Sequence, residues 1–184
     1  MRDLFIELHT ERLRLSPVSR RDAVNMYQGL QASALYRFIP GEPPKSLEAL
    51  ANRYGSLESG LSPDGREHWV NWLAHDASFG SPLGFVQATV PIEDNSICTV
   101  AYVFFEEFWG QGYAREALKE MIRHLAVTAR CHSFKALIDS RNLRSIGVVE
   151  SLGFSLVATH LAADFFKGSQ SDEFEYSLDS RSVA

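Results

Sequence analysis

The chain has 184 residues, 45% hydrophobic and 22% charged, with 18 Lys and Arg against 23 Asp and Glu for a formal net charge of −5. That composition describes an ordinary globular chain with one domain over residues 1–184, and its negative balance argues against nucleic acid as a partner. The opening MRDLFIELHTERL carries acids and no sustained apolar stretch, so neither a signal peptide nor a membrane anchor is expected and the cytoplasm is the default location.

In chain order, Arg12 to Leu15 alternates as a first strand, and Ser19 can cap a helix from Arg20 to about Leu30. After Pro40 to Pro44, Ser46 can cap a second helix through about Leu57, with Glu48 in its first turn. Gly60, Pro63, Asp64 and Gly65 then make a turn. Strands follow at Trp69 to Ala74, Leu83 to Val90 and Ile97 to Phe105, the last entered by a turn around Glu93 to Asn95. Their connections are too short for crossovers and predict an antiparallel meander.

Of the two cysteines, Cys98 lies in the third of these strands and reads as a small core residue. With Cys131 elsewhere and no CxxC or Cys/His cluster, neither a disulfide framework nor a metal site is expected. Ala114, Ala117, Leu118, Met121, Ile122, Leu125 and Ala126 then repeat at three and four, the stripe of a helix from about Tyr113 to Arg130. A strand at Phe134 to Asp139 completes a crossover and so predicts parallel pairing. A short helix from about Leu143 to Leu152 ends at Gly153-Phe154. Two closing strands, Ser155 to Leu161 and Phe174 to Leu178, flank a loop at Lys167 to Asp172. The fold class is a mixed α/β domain.

The most informative stretch is Phe108-Trp109-Gly110-Gln111-Gly112-Tyr113-Ala114-Arg115-Glu116-Ala117, between a strand and a long helix. Two glycines there allow positive φ and let successive N–H groups face one concavity. The helix start adds unpaired donors and the positive end of its dipole. Such a loop suits an anion such as a pyrophosphate, although a tight turn without ligand has the same pattern. A dinucleotide fingerprint would need a third glycine where Arg115 stands, and no GK[ST] follows for a Walker loop.

Gln111-Gly112-Tyr113-Ala114 closely resembles the pyrophosphate loop of the GCN5-related N-acetyltransferases. The string from Trp109 through Leu118 is similar to the branch containing the ribosomal-protein N-terminal acetyltransferases. Thr10 to Leu15 resembles that branch's opening Thr-Glu-Arg-Leu-x-Leu. Asn142, Ser145, Ile146 and Leu152-Gly153-Phe154 resemble an internal motif, and Asp172 to Leu178 its closing one.

The resemblance implies a mixed sheet of about seven strands with about four helices, in which acetyl-CoA wedges between splayed parallel strands four and five. A bulge near Val103, Phe104 and Phe105 would turn backbone donors to the thioester carbonyl, at roughly 3 kcal/mol each. The N–H groups of Gly110, Gln111, Gly112, Tyr113, Ala114 and Arg115 would cradle the pyrophosphate. Trp109 stands where family members often carry Gln or Arg, which removes a side-chain donor. Asn142 would reach the pantetheine and Ser145 the sulfur, where a hydroxyl can protonate the leaving thiolate. Asn142 also reads simply as the N-cap of the short helix, with Ser145 at its third position.

The implied reaction is acetyl transfer to an amine, a protein N-terminal α-amine or a small-molecule amine such as an amino acid, a polyamine or an amine-bearing antibiotic. A carboxylate is wanted to take a proton. Thr99 replaces the branch's usual Glu, leaving Glu106 as the chosen candidate beside Glu67, Glu93, Asp94 and Glu107, with His68 behind them. Trp69, Trp72 and Tyr102 are either core or aromatic faces for a cation. A non-catalytic acyl-CoA-binding or interaction module of the same fold is the alternative, and such folds occur as monomers or homodimers.

Overall fold

The computed structural model describes residues 2–94 and 96–183, so Asn95 of the expected turn lies outside them. The strands are β1 (Leu8–His9), β2 (Leu13–Pro17), β3 (Glu67–Asp76), β4 (Pro82–Pro91), β5 (Ile97–Phe104), β6 (Ser133–Asp139), β7 (Ser155–Phe166) and β8 (Ser169–Asp179). The α-helices are α1 (Ala23–Met26), α2 (Leu47–Leu57), α3 (Tyr113–Thr128) and α4 (Leu143–Ser151). All eight strands join one sheet in the order β1-β2-β3-β4-β5-β6-β8-β7. The count exceeds the expected seven because the two-residue β1 pairs with β2 at the sheet edge.

Among the described residues only β5 and β6 run parallel, as the α3 crossover requires. Their pairing covers Ile97↔Ser133, Cys98↔Phe134 and Thr99↔Lys135 and goes no further, so the strands part beyond Thr99. Strand alternation divides the core between the two faces. Trp72, Val86 and Phe104 pack with Leu118, Met121, Ile122 and Leu125 of α3. Leu73 and Phe105 pack on the other face with Met26, Leu50 and Tyr54, from α1 and α2.

Four expectations need correction. The helix foreseen from Arg20 to Leu30 breaks into α1 and 3-10 turns at Arg20–Asp22 and Gly29–Gln31. Those tight turns seat Gly29 on the Phe105 ring, where a Cβ would lie 2.4 Å from ring carbons. The loop foreseen at Lys167 to Asp172 contracts to a two-residue turn, Lys167-Gly168, both with positive φ as a close hairpin requires. Cys98, fully buried as expected of a core residue, is disulfide-bonded to Cys131. The crossover returns Cys131 beside the start of β5, with Cα atoms 6.2 Å apart. Finally, β5 holds an unbroken register with β4 through Gly84↔Phe104, so no register shift marks the expected bulge at Val103 to Phe105. The strands instead close tightly at Gly84, where a Cβ would sit 2.2 Å from the Val103 carbonyl oxygen. Among the described residues no helix is long and apolar enough to cross a membrane.

Candidate active site

The gap between β5 and β6 opens onto the start of α3. Gly110 and Gly112 have φ of 73° and 82°, a region costly for a side chain. The Glu116 N–H returns to the Gly112 carbonyl at 3.0 Å, so the donors of Tyr113, Ala114 and Arg115 precede the first helical bond. A clasp from the opening strand holds this turn. Arg12 donates to Glu116 through Nε at 2.7 Å and to the Gln111 carbonyl through Nη1 at 3.1 Å, and lies 4.5 Å from the Tyr113 ring centre. Thr10 adds a 2.6 Å hydrogen bond to Glu116. Burial pushes the Glu116 carboxyl upward, but the bonds from Thr10 and Arg12 outweigh it and leave its pKa lowered.

A groove of about 840 Å³ runs from this turn into the gap, bordered by Val103, Phe104, Gly110, Gly112, Asn142 and Ser145. Tyr113, Ala114, Arg115 and Glu106 also border it. Gln111 turns away, donating its side-chain amide to the Glu107 carbonyl at 2.8 Å. Phe105 is the correction here. It sits one residue beyond Phe104 and so on the opposite face, its ring is in the second core cluster, and its N–H is taken by the Leu83 carbonyl at 2.9 Å. By the same alternation the backbone groups of Tyr102 and Phe104 face the gap. The Phe104 carbonyl is engaged there by the Trp109 indole N–H at 2.7 Å.

Asn142 caps α4, its side-chain oxygen accepting the Ser145 N–H at 3.2 Å. The Ser145 hydroxyl meets the Tyr102 hydroxyl at 2.7 Å. Burial drives the Tyr102 phenol up to about 12, against the lowering effect of that bond, so it keeps its proton at neutral pH. Behind the cap, Arg141 grips the buried Asp139 through Nη2 at 2.6 Å, with Ser171 donating to the same carboxylate. Burial raises the Asp139 pKa, yet these bonds prevail and bring it to about 2.

On the other side of Val103 lies a second cavity of about 490 Å³, between α2 and the sheet. Val103 and Ile39 border both spaces. Glu42 lines the cavity, whereas the exposed Glu106 stands on the groove side. Glu67 and His68 pair with Pro91 and Val90, while Val103 lies in register with Phe85 and hence Leu73. Five or six residues at ~3.3 Å each separate them from the level of Val103, and Glu93 and Asp94 follow β4 at that same far end. Trp69 and Trp72 border neither space: Trp72 is fully buried with its indole on the Ile6 carbonyl, and the Trp69 indole binds Glu67.

A family model for the acetyltransferase (GNAT) domain matches residues 12–155. The chain belongs to the GNAT acetyltransferase family. A curated relative, the uncharacterized protein YkkB of Bacillus subtilis, is 34% identical over 84 residues, 45% of this chain and 48% of YkkB. The match thus spans about half the length of that relative. Among solved structures, ribosomal-protein-S5-alanine acetyltransferase from Vibrio fischeri has a TM-score of 0.79 at 19% identity, covering 95% of this chain and 96% of that one. Spermidine N-acetyltransferase from Vibrio cholerae, in complex with CoA and spermine, has a TM-score of 0.80 at 16% identity, covering 95% and 99%.

This GNAT domain also holds groove residues that sequence reasoning passed over. Arg37, Arg141 and Arg144 border the groove beside Arg115, and Arg144 stacks 4.6 Å from the Trp109 ring centre. Two arginines flanking Asn142 were the available signal, since cations gathered about a glycine turn suit a polyanion. Arg12 stood in the opening motif, but nothing local marked its partner 104 residues on.

Proposed function

We propose that this domain transfers the acetyl group of acetyl-CoA to a primary amine, either a protein N-terminal α-amine or a small-molecule amine. The observation that carries the proposal is the alignment of the α3 donor turn with the parted strands, where the Tyr102 and Ser145 hydroxyls meet. The residues present suit CoA. The two left-handed glycines expose backbone donors, and four arginines line a groove that would receive phosphates. The likeness to the two acetyltransferase structures, one holding CoA, supports the same reading.

Acetyl-CoA supplies the acetyl group as a thioester, which an amine nitrogen takes up with release of the thiol. The turn from Gly110 to Arg115 and the surrounding arginines hold the phosphates, and Asn142 offers its remaining amide hydrogens along the groove. The Phe104 N–H faces the gap as a donor for a carbonyl oxygen. The Tyr102 hydroxyl, which also donates to the Ser145 carbonyl at 3.0 Å, and Ser145 Oγ together hold the proton that a departing thiolate needs. The amine's own proton leaves through Glu106 on the groove side or Glu42 on the cavity side. Replacing each by Gln and comparing kcat separates them.

The test is thermal unfolding with CoA, acetyl-CoA, ATP and NAD. A ligand at about a hundred times its Kd adds roughly 2.7 kcal/mol, which raises the midpoint of a chain this long by roughly 5–10 °C. A rise with CoA and acetyl-CoA only is expected. A rise with none, or with ATP or NAD alone, would refute the assignment.

A further inference from the structure

The cavity beyond Val103 is roofed by the segment 36–45, and three separate contacts pin that roof. The Tyr36 hydroxyl donates to the Leu30 carbonyl at 2.9 Å, and the Gln31 amide to the Pro44 carbonyl at 3.1 Å. From the far hairpin, Lys167 at the β7–β8 turn donates to the carbonyls of Tyr36 and Gly41. A tied roof over about 490 Å³ describes a compartment for a small molecule rather than a channel for a peptide chain.

The interior is largely apolar, with Leu73, Phe85 and Val103 on the sheet side and Leu50 on α2. Its charges are unevenly placed. Lys45 and Arg53, both exposed, stand at its mouth with a single carboxylate, Glu42, whose side chain is 70% exposed and drawn to 3.8 Å from Lys167. Among the described residues Arg53 has no ion-pair partner, and the phenols of Tyr36 and Tyr54 line the same cavity. Burial raises both phenols and the Arg53 charge opposes it. Tyr54 is 5% exposed and its hydroxyl is shut off from the cavity, so its ring closes the floor and presents no donor to the interior. The Arg53 guanidinium is a donor, and what it lacks is an anionic partner.

We infer that the acceptor is a small primary amine with an apolar body and a carboxylate, its acid group held by Arg53 at the cavity mouth and its nitrogen directed to Val103. This deepens the acetyl-transfer reading and rests on it. A polyamine meets the wrong sign here: two cations line the cavity, and the one carboxylate is turned toward solvent.

The experiment measures thiol release from acetyl-CoA by the full chain with paired acceptors: phenylalanine against phenethylamine, and 6-aminohexanoate against hexylamine. Spermidine and a peptide with an N-terminal alanine complete the set. The acid-bearing member of at least one pair is expected to lead in kcat/KM by about tenfold or more, the usual range for a charge-assisted contact. Arg53→Gln should raise KM for that acid about tenfold and leave KM for its uncharged partner, and the CoA-induced thermal shift, unchanged. Turnover led by spermidine, the peptide or the uncharged amines, with CoA binding intact, overturns this inference alone. Absence of both CoA binding and turnover overturns it together with acetyl transfer.

Discussion

Arg12→Met tests whether the opening strand organises the cofactor turn. The variant keeps an aliphatic stem but loses the bonds to Glu116 and to the Gln111 carbonyl, as well as the charge over Tyr113. Because the Arg12 side chain is 44% exposed, the ion pair contributes only about 0.5–1 kcal/mol after screening. The charge-assisted bond to the carbonyl adds about 1 kcal/mol. Their sum, about 1.5–2 kcal/mol, lowers the unfolding midpoint by roughly 3–8 °C. If the share acting on the turn is about 1 kcal/mol, calorimetric titration with CoA should give a Kd about fivefold weaker. Glu116→Gln should produce a similar loss, and the double variant much less than the sum, since the two residues share one contact. A lowered midpoint with an unchanged CoA Kd would refute the argument, because the clasp would then support the fold without shaping the turn.

Gly112→Glu should abolish CoA binding in the same titration, since it puts a negative charge into the donor turn at a φ of 82°, with its Cβ 3.4 Å from an Arg12 nitrogen. Ser145→Ala should lower kcat about tenfold to a thousandfold with little change in CoA affinity, and Tyr102→Phe should follow it in kind; an unaltered kcat would leave Ser145 a helix-cap residue. Cys131→Ala opens a link across 33 residues, worth about 3.7 kcal/mol by loop entropy, and should lower the midpoint by roughly 7–15 °C. His75 and His124 are held neutral by burial, so each has a folded pKa below its unfolded one. The unfolded chain therefore binds protons first, and stability should fall as pH drops below about 6.5; a flat midpoint between pH 7.5 and 5.5 would contradict this.

The elements that the sequence makes legible are those whose determinants are local. The stripe from Ala114 to Leu125 marks α3 because a helix face repeats within one turn, and Ser46 marks α2 because its hydroxyl accepts the Ala49 N–H three residues on. The glycine turn and Asn142 are equally local, and they form the groove's two ends. What escapes is pairing over distance. The Arg12–Glu116 clasp, the Cys98–Cys131 link and Lys167 tying down the cavity roof each join residues whose neighbours in sequence say nothing of one another. Phe105 escapes for a different reason: a one-residue step along β5 exchanges the groove for the opposite core.

Trp109 shows how a residue that reads as a lost donor acquires a structural role. Where β5 and β6 part, β5 forfeits the ladder that β6 would have supplied, and its gap-facing carbonyls need other partners. The Trp109 indole takes the Phe104 carbonyl, and Arg144 stacks on that indole from the first turn of α4. Tyr102, two residues earlier on the same face, closes onto Ser145 of α4. The indole thus replaces one ladder bond on the open edge of β5, and the Tyr102 hydroxyl ties that edge to α4. The Trp109 bond spends the Phe104 carbonyl while its N–H still faces the groove. Under the proposed acetyl transfer, that free N–H is the donor a thioester oxygen would meet.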